Sequence, residues 1–211
     1  MTRRARFSQA LAFLALLAAT SAAAEPQRFN IDPSHSEVSF SIRHFFGKVP
    51  GWFREFSGSV VYDPADLAAS SVEVTIKTAS VDTRNERRDA DLRSGNFFLA
   101  DSFPTITFKS TKVIPGKESQ FQVVGDLTMR GVTKQVTLDA SFLGMGTTDM
   151  VGGFSMGTRA GWEASTVVDR RDFGVLWNKV LDKGGTMLGD EVAIHLGVEG
   201  MQTRGPAKDT K

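Results

Sequence analysis

From Gln27 onward the chain alternates apolar and polar residues with a period of two, in short segments separated by Gly, Pro and Asp. Val38, Phe40 and Ile42 alternate with Ser39, Ser41 and Arg43. Phe56, Val60 and Tyr62 share one parity, with Gly58 between them, and Val72, Val74 and Ile76 alternate with Glu73, Thr75 and Lys77. Ile106 and Phe108 follow Pro104, and Trp162 to Val168 reads as a further strand. Near the end Val192, Ile194, Leu196 and Val198 alternate with Ala193, His195, Gly197 and Glu199. Successive side chains of a strand point to opposite faces. Each segment therefore has one apolar and one mostly polar face, as in an antiparallel sheet wetted on one side.

One hairpin can be registered from the residues alone. Arg130-Gly131 suits a two-residue turn, with Gly supplying a positive φ. Pairing about it sets Val123 opposite Leu138, Phe121 opposite Ala140 and Gly125 opposite Val136, so the apolar partners share a face. A single short helix is expected. Thr83 to Glu86 fits a capping box, and Asp89 precedes Arg93 by four residues in the favourable order for an ion pair. Apart from Leu92 this helix is polar, which places it outside the sheet or across one end. About eight strands and one short helix in one domain predict an all-β sandwich or closed barrel. An eight-stranded barrel holds either packed side chains or one small ligand, and periodicity does not decide between them.

The ends of the chain read differently. Arg3, Arg4 and Arg6, the apolar stretch Ala10 to Ala19 and Ala22-Ala23-Ala24 form a secretory signal pattern, predicting removal of residues 1–24 and export by the secretory route. No later stretch is long and apolar enough to span a membrane as a helix. The domain is expected over residues 25–200, with 201–211 a disordered tail. Without residues 1–24 the chain keeps 22 basic and 24 acidic side chains, a formal charge of −2, so nothing draws it to nucleic acid. Cysteine is absent, which removes disulfides, thiolate metal sites and thiol nucleophiles. Phe outnumbers Tyr by 16 to 1, pointing to a large interior with few polar partners.

Two patterns offer chemistry. Gly153-Phe154-Ser155-Met156-Gly157 matches the G-x-S-x-G elbow, followed by Asp169 or Asp172 and His195 in the order used by serine esterases. That elbow requires a helix after the serine, whereas a strand is expected here. The histidines are His35, His44 and His195. His35 and His44 flank a strand, about nine residues at ~3.3 Å each, so they do not converge on a metal, with or without Asp32. His195 falls on a polar parity. His44 shares the parity of Val38, Phe40 and Ile42 at a strand end, where it could face a ligand head group at a rim. Glu86 to Asp91 carries both signs and reads as a solvated face.

Several stretches together resemble the YceI family of bacterial periplasmic, polyisoprenoid-binding, lipocalin-like proteins. They include Ile31-Asp32-Pro33-Ser34-His35-Ser36 with Val38 to His44, Phe56-Ser57-Gly58, and Val81-Asp82-Thr83 through Leu92-Arg93-Ser94 to Phe97-Phe98. Phe103-Pro104-Thr105-Ile106-Thr107-Phe108, Gly125-Asp126-Leu127-Thr128, Arg130-Gly131-Val132-Thr133, Asp172-Phe173-Gly174, Trp177-Asn178 and Gly189-Asp190-Glu191-Val192 continue the likeness, which spans about residues 29 to 199. Gly47 to Phe53 resembles the family's Val-x-Gly-x-Phe and is read as a loop reshaped by Pro50 and Trp52; Leu143 to Met156 is read as a variable loop.

The resemblance implies an extended lipocalin-like antiparallel barrel of about eight strands. Its cavity would take a long polyisoprenoid or fatty-acyl lipid, with no cofactor and no catalytic residue. By parity the lumen-facing residues are Phe40, Ile42, Val60, Val74, Ile76, Phe108, Val123, Leu138, Trp162 and Val192. His44 and Arg93 are rim candidates for a polar or diphosphate head. The expectation is periplasmic binding or transport of such a lipid, compatible with a homodimer. The competing readings are a serine esterase built on Ser155 and a stress-related structural protein with a filled barrel.

Overall fold

The computed structural model describes residues 25–148, 157–182 and 184–203. The expected signal segment and Ser155 lie outside them. The described residues form strands β1 (Gln27–Ile31), β2 (Glu37–His44), β3 (Gly47–Phe53), β4 (Phe56–Tyr62), β5 (Ser71–Lys77) and β6 (Val81–Asp82). After helix α1 (Glu86–Arg93) come β7 (Thr105–Pro115), β8 (Gln120–Met129), β9 (Val132–Thr148), β10 (Gly157–Asp169) and β11 (Leu188–Gln202). Around the barrel the order is β1-β4-β5-β7-β8-β9-β10-β11, and β11 returns to β1 through Ile31 and Gly200. Eight antiparallel strands thus close on themselves, which leaves no unpaired edge in the ring.

On the edge away from β10, β11 serves two partners. Its last residues close on β1, while Leu188 to Gly197 pair with β2, which continues into a three-stranded extension with β3 and β6. Arg159 of β10 fixes the corner between β1 and β2. Its guanidinium donates to Asp32 at 2.9 Å and to Glu199, and Asp32 also bonds the ring of His35 at 2.9 Å.

The β8–β9 hairpin has the register read from the sequence, with Val123↔Leu138, Phe121↔Ala140 and Gly125↔Val136. Both turn residues take positive φ, Arg130 at 53° and Gly131 at 75°. A two-residue turn of this hand matches the twist of the flanking strands.

Five local expectations are corrected. Gly47 to Phe53 is strand, not loop: Phe40 pairs with Gly51 and Ser41 with Pro50. Pro50 is tolerated because β6 reaches only Trp52 and Phe53, leaving no ladder on that side of Pro50. β9 runs on to Thr148, so Leu143 to Thr148 belongs to the sheet. The helix cap is Asn85, whose side chain accepts from the Arg88 N–H at 3.0 Å. The Thr83 hydroxyl instead donates to buried Asp89 at 2.5 Å and accepts from Arg88 Nε at 2.7 Å. Asp89 therefore does not pair with Arg93, which donates to the carbonyls of Ala79 at 2.7 Å and Val81 at 3.0 Å. At the far end Met201 and Gln202 are paired in β11, so the strand outlasts the expected boundary at residue 200.

Candidate functional site

The barrel is hollow. A cavity of about 780 Å³ lies along its axis, inside the range of roughly 300–1,000 Å³ usual for small-molecule sites. Its walls come from the inward parity of every strand in the ring and from β2 and β3 of the extension. Phe40, Ile42, Val60, Val74, Ile76, Phe108, Val123, Leu138, Trp162 and Val192 all line it. Phe40, Ile42, Val60, Val74 and Val192 are only half-buried although they point inward. In a packed core such residues would be sealed by their neighbours; here their remaining accessible surface faces the lumen.

Aromatic rings form the floor. Trp162 meets Phe29 edge-on at 5.5 Å, Tyr62 stacks on Phe142 at 4.7 Å, and both rings of that stack lie 5.9 Å from Trp162. Tyr62, the sole tyrosine, lines the cavity, and burial pushes its phenol above the ordinary pKa. The neutral hydroxyl is thus the form favoured there.

The opposite end is polar. His44 stands at the end of β2 as the parity predicts and lines the mouth beside Met187 and Leu188. Arg93 does not line the cavity; its guanidinium is held by the two backbone carbonyls named above. Three arginines line this end, Arg87 and Arg88 beside Asn85 and Asp91, and the buried Arg170. The charged helix face read as solvated therefore borders the mouth. Sequence alone does not separate a cation facing a cavity entrance from one facing bulk water. The family pattern around Asn85 to Asp89 was the available signal. Arg170, buried nearby, donates to the carbonyls of Gly189, Val175 and Trp177 and to Asp190, which holds the segment after β10 against β11.

The members of the esterase pattern that are described do not converge. β10 begins at Gly157, so a strand and not a helix occupies the position after the motif. Asp169 pairs with Glu191, four residues along β11 from His195, about 13 Å at strand spacing. The Asp169 carboxylate accepts from the Arg171 N–H, and Asp172 lies in the short 3₁₀ turn that follows. His195 is exposed on the outer surface beside Glu37, Asp139 and Glu163. Asp32, His35 and Glu199 stand close enough to share one cation, and the Arg159 guanidinium already fills that role.

Comparison with known proteins gives the same picture. The family model for a YceI-like domain matches residues 29–200. A UPF0312 protein of Vibrio cholerae is 39% identical over 143 residues, covering 67% of this chain and 73% of its own. Among solved structures, Burkholderia cenocepacia BcnA superposes with a TM-score of 0.68 at 25% identity, covering 80% of this chain and 98% of its own. A polyisoprenoid binding domain from Saccharophagus degradans gives 0.60 at 13% identity, a likeness of fold, over 85% of this chain and 100% of its own. With a closed eight-stranded barrel, a lumen of the expected parity and a family match across the whole ring, this chain belongs to the YceI-like family.

Proposed function

We propose that the protein is a periplasmic carrier that shelters one long isoprenoid or fatty-acyl lipid in its barrel and performs no chemistry on it. The observation that carries this reading is the continuous apolar lumen, running from the aromatic floor at Tyr62 and Trp162 to the polar mouth at His44 and Arg87. A slot of this form suits a slender hydrocarbon with a polar head. Each Å² of apolar surface taken from water contributes roughly 25 cal/mol, offset in part by ordering a flexible chain. No charged anchor is needed for useful affinity. Selectivity then comes from the length of the lumen and from the head group offered to the mouth.

Membership of a binding-domain family and the barrel shared with the polyisoprenoid binding domain of S. degradans support the assignment. The signal pattern of residues 1–24 supports the periplasmic location. The filled-barrel alternative is disfavoured by the cavity, and the esterase alternative by the strand that begins at Gly157.

Organic extraction of the purified protein followed by mass spectrometry is the test. A long-chain isoprenoid or acyl lipid in near-stoichiometric amount is the expected result. Protein from several hosts that yields no lipid, and that fails to take up an apolar fluorescent probe, would overturn the reading.

A further inference from the structure

We propose that the open rim of the barrel is a docking surface for an anionic phospholipid bilayer, with the Phe45–Phe46 turn as the element that enters the lipid interface. This turn joins β2 to β3, with His44 paired to Gly47 at its base. Phe46 is fully exposed and Phe45 is 37% exposed. Phe45 also holds a φ of 51°, in the left-handed region where glycine or asparagine sits more comfortably. Two aromatic rings thus occupy a water-facing turn, one of them on strained backbone. Glycine there would relieve the strain and remove exposed hydrocarbon together, so folding alone does not account for the choice.

A second apolar projection stands at the same rim. The Phe45 N–H donates to the Met187 carbonyl at 2.8 Å, and the Met187 N–H donates to the Lys179 carbonyl at 2.9 Å. Val180, bridged to Thr186 and 74% exposed, is thereby held next to the turn. Arg43 ties the two segments, donating to the carbonyls of Phe45 at 3.1 Å and Thr186 at 3.2 Å. His44 and Met187, from these same segments, line the cavity mouth. The exposed hydrocarbon therefore borders the opening through which an apolar chain would pass.

Charge selects the occupant. Arg43, Lys48 and Lys179 flank the projecting side chains, and Asp182 is the one acid among the described residues of 43–48 and 175–188. Aromatic rings partition to the headgroup level of a bilayer, and nearby cations are drawn to anionic lipid. The purpose of such docking, loading or releasing cargo, rests on the carrier reading above; the surface itself does not.

Cosedimentation of the purified protein with phosphatidylglycerol-rich vesicles tests it, with phosphatidylcholine vesicles alongside. Wild type should pellet with the anionic vesicles and much less with the zwitterionic ones. Phe46→Ser should weaken binding about tenfold. The double variant Lys48→Glu/Lys179→Glu should remove the preference for anionic lipid. Leu143→Ser is the control: Leu143 is an exposed apolar side chain at the level of Gly161, which pairs with Glu199, far along β11 from Leu188. It should bind as wild type does. Failure of wild type to pellet with anionic vesicles, equal binding by Phe46→Ser, or an equal loss in Leu143→Ser would overturn the proposal. So would a lipid-free dimer that Phe46→Ser dissolves, which would give this face to a second copy of the chain. Phe46 does not line the cavity, so lipid extracted from Phe46→Ser should match wild type. Vesicle binding that depends on Phe46 in protein carrying no cavity lipid would uphold the docking surface while removing the carrier reading.

Discussion

The ring of Phe40 lies across the backbone of Gly51, its directly paired neighbour on β3. A methyl group built on Gly51 would overlap the ring, so the missing side chain is what lets the phenyl group lie flat against the wall. Gly125 receives the Phe108 ring in the same manner. Both rings belong to the cavity lining. The hollow is therefore maintained by large side chains folded down over glycines as well as by the number of strands.

Gly51→Ala should drive the Phe40 ring toward the lumen. The expected outcome is less lipid per protein on extraction, with a loss of about 1–3 kcal/mol in urea unfolding from the displaced ring. Gly51→Ala/Phe40→Ala should recover lipid content, because the added methyl then meets no ring. Unchanged lipid content in the single variant would show that this contact does not set the lumen width.

A bulky residue placed in the lumen separates hollow from filled. Val74 lines the cavity, with Gly58 and Phe108 as its paired neighbours. In a packed core Val74→Trp would cost about 1–3 kcal/mol through overpacking. In this barrel the indole has space to occupy, so lipid content should fall sharply while stability changes by less than about 1 kcal/mol. Denaturant unfolding and lipid extraction on one preparation read both quantities.

Much of this site was legible because alternation reports which face a side chain takes. That is why the β8–β9 register and the inward residues of β2, β4, β5, β7 and β11 could be read directly. β3 escaped because Gly47, Pro50 and Gly51 interrupt alternation with residues that mark turns, and only pairing with β2 makes them strand. Thr83 and Asn85 are both competent helix caps. Which one acts depends on Asp89 and Arg88 claiming the Thr83 hydroxyl, a contact no local pattern specifies. Arg93 was misplaced for the same reason, since its acceptors are backbone carbonyls on the segment before the helix. The hollow itself carries no period-two signature, because inward hydrocarbon looks alike whether it meets other side chains or empty space.

Phe29 and Val192 illustrate the difference between core and lumen. Phe29 has no exposed surface and packs edge-on against Trp162. Val192 is half-buried, with its free face toward the cavity. Phe29→Ala should cost about 3–5 kcal/mol, since it opens a sealed void. Val192→Ala should cost about 1 kcal/mol or less, because it widens a space that already exists. Equal losses in urea unfolding would mean that the two side chains sit in equivalent surroundings.

Asp32 makes stability sensitive to acid in a defined window. The hydrogen bond from His35, then that from Arg159, lowers its pKa from 3.8 to about 2. The folded state therefore takes up this proton less readily than the unfolded chain. As pH falls the unfolded state is protonated first, so the stabilisation is complete above pH 3.8 and disappears as pH approaches 2. Replacing Asp32 with Asn should cost about 1 kcal/mol at pH 7, the scale of a partly exposed ion pair. The gap between wild type and Asp32→Asn in urea midpoint should then close steadily between pH 4 and pH 2. A gap that stayed constant across that range would show that the carboxylate charge contributes nothing to the corner held by Arg159.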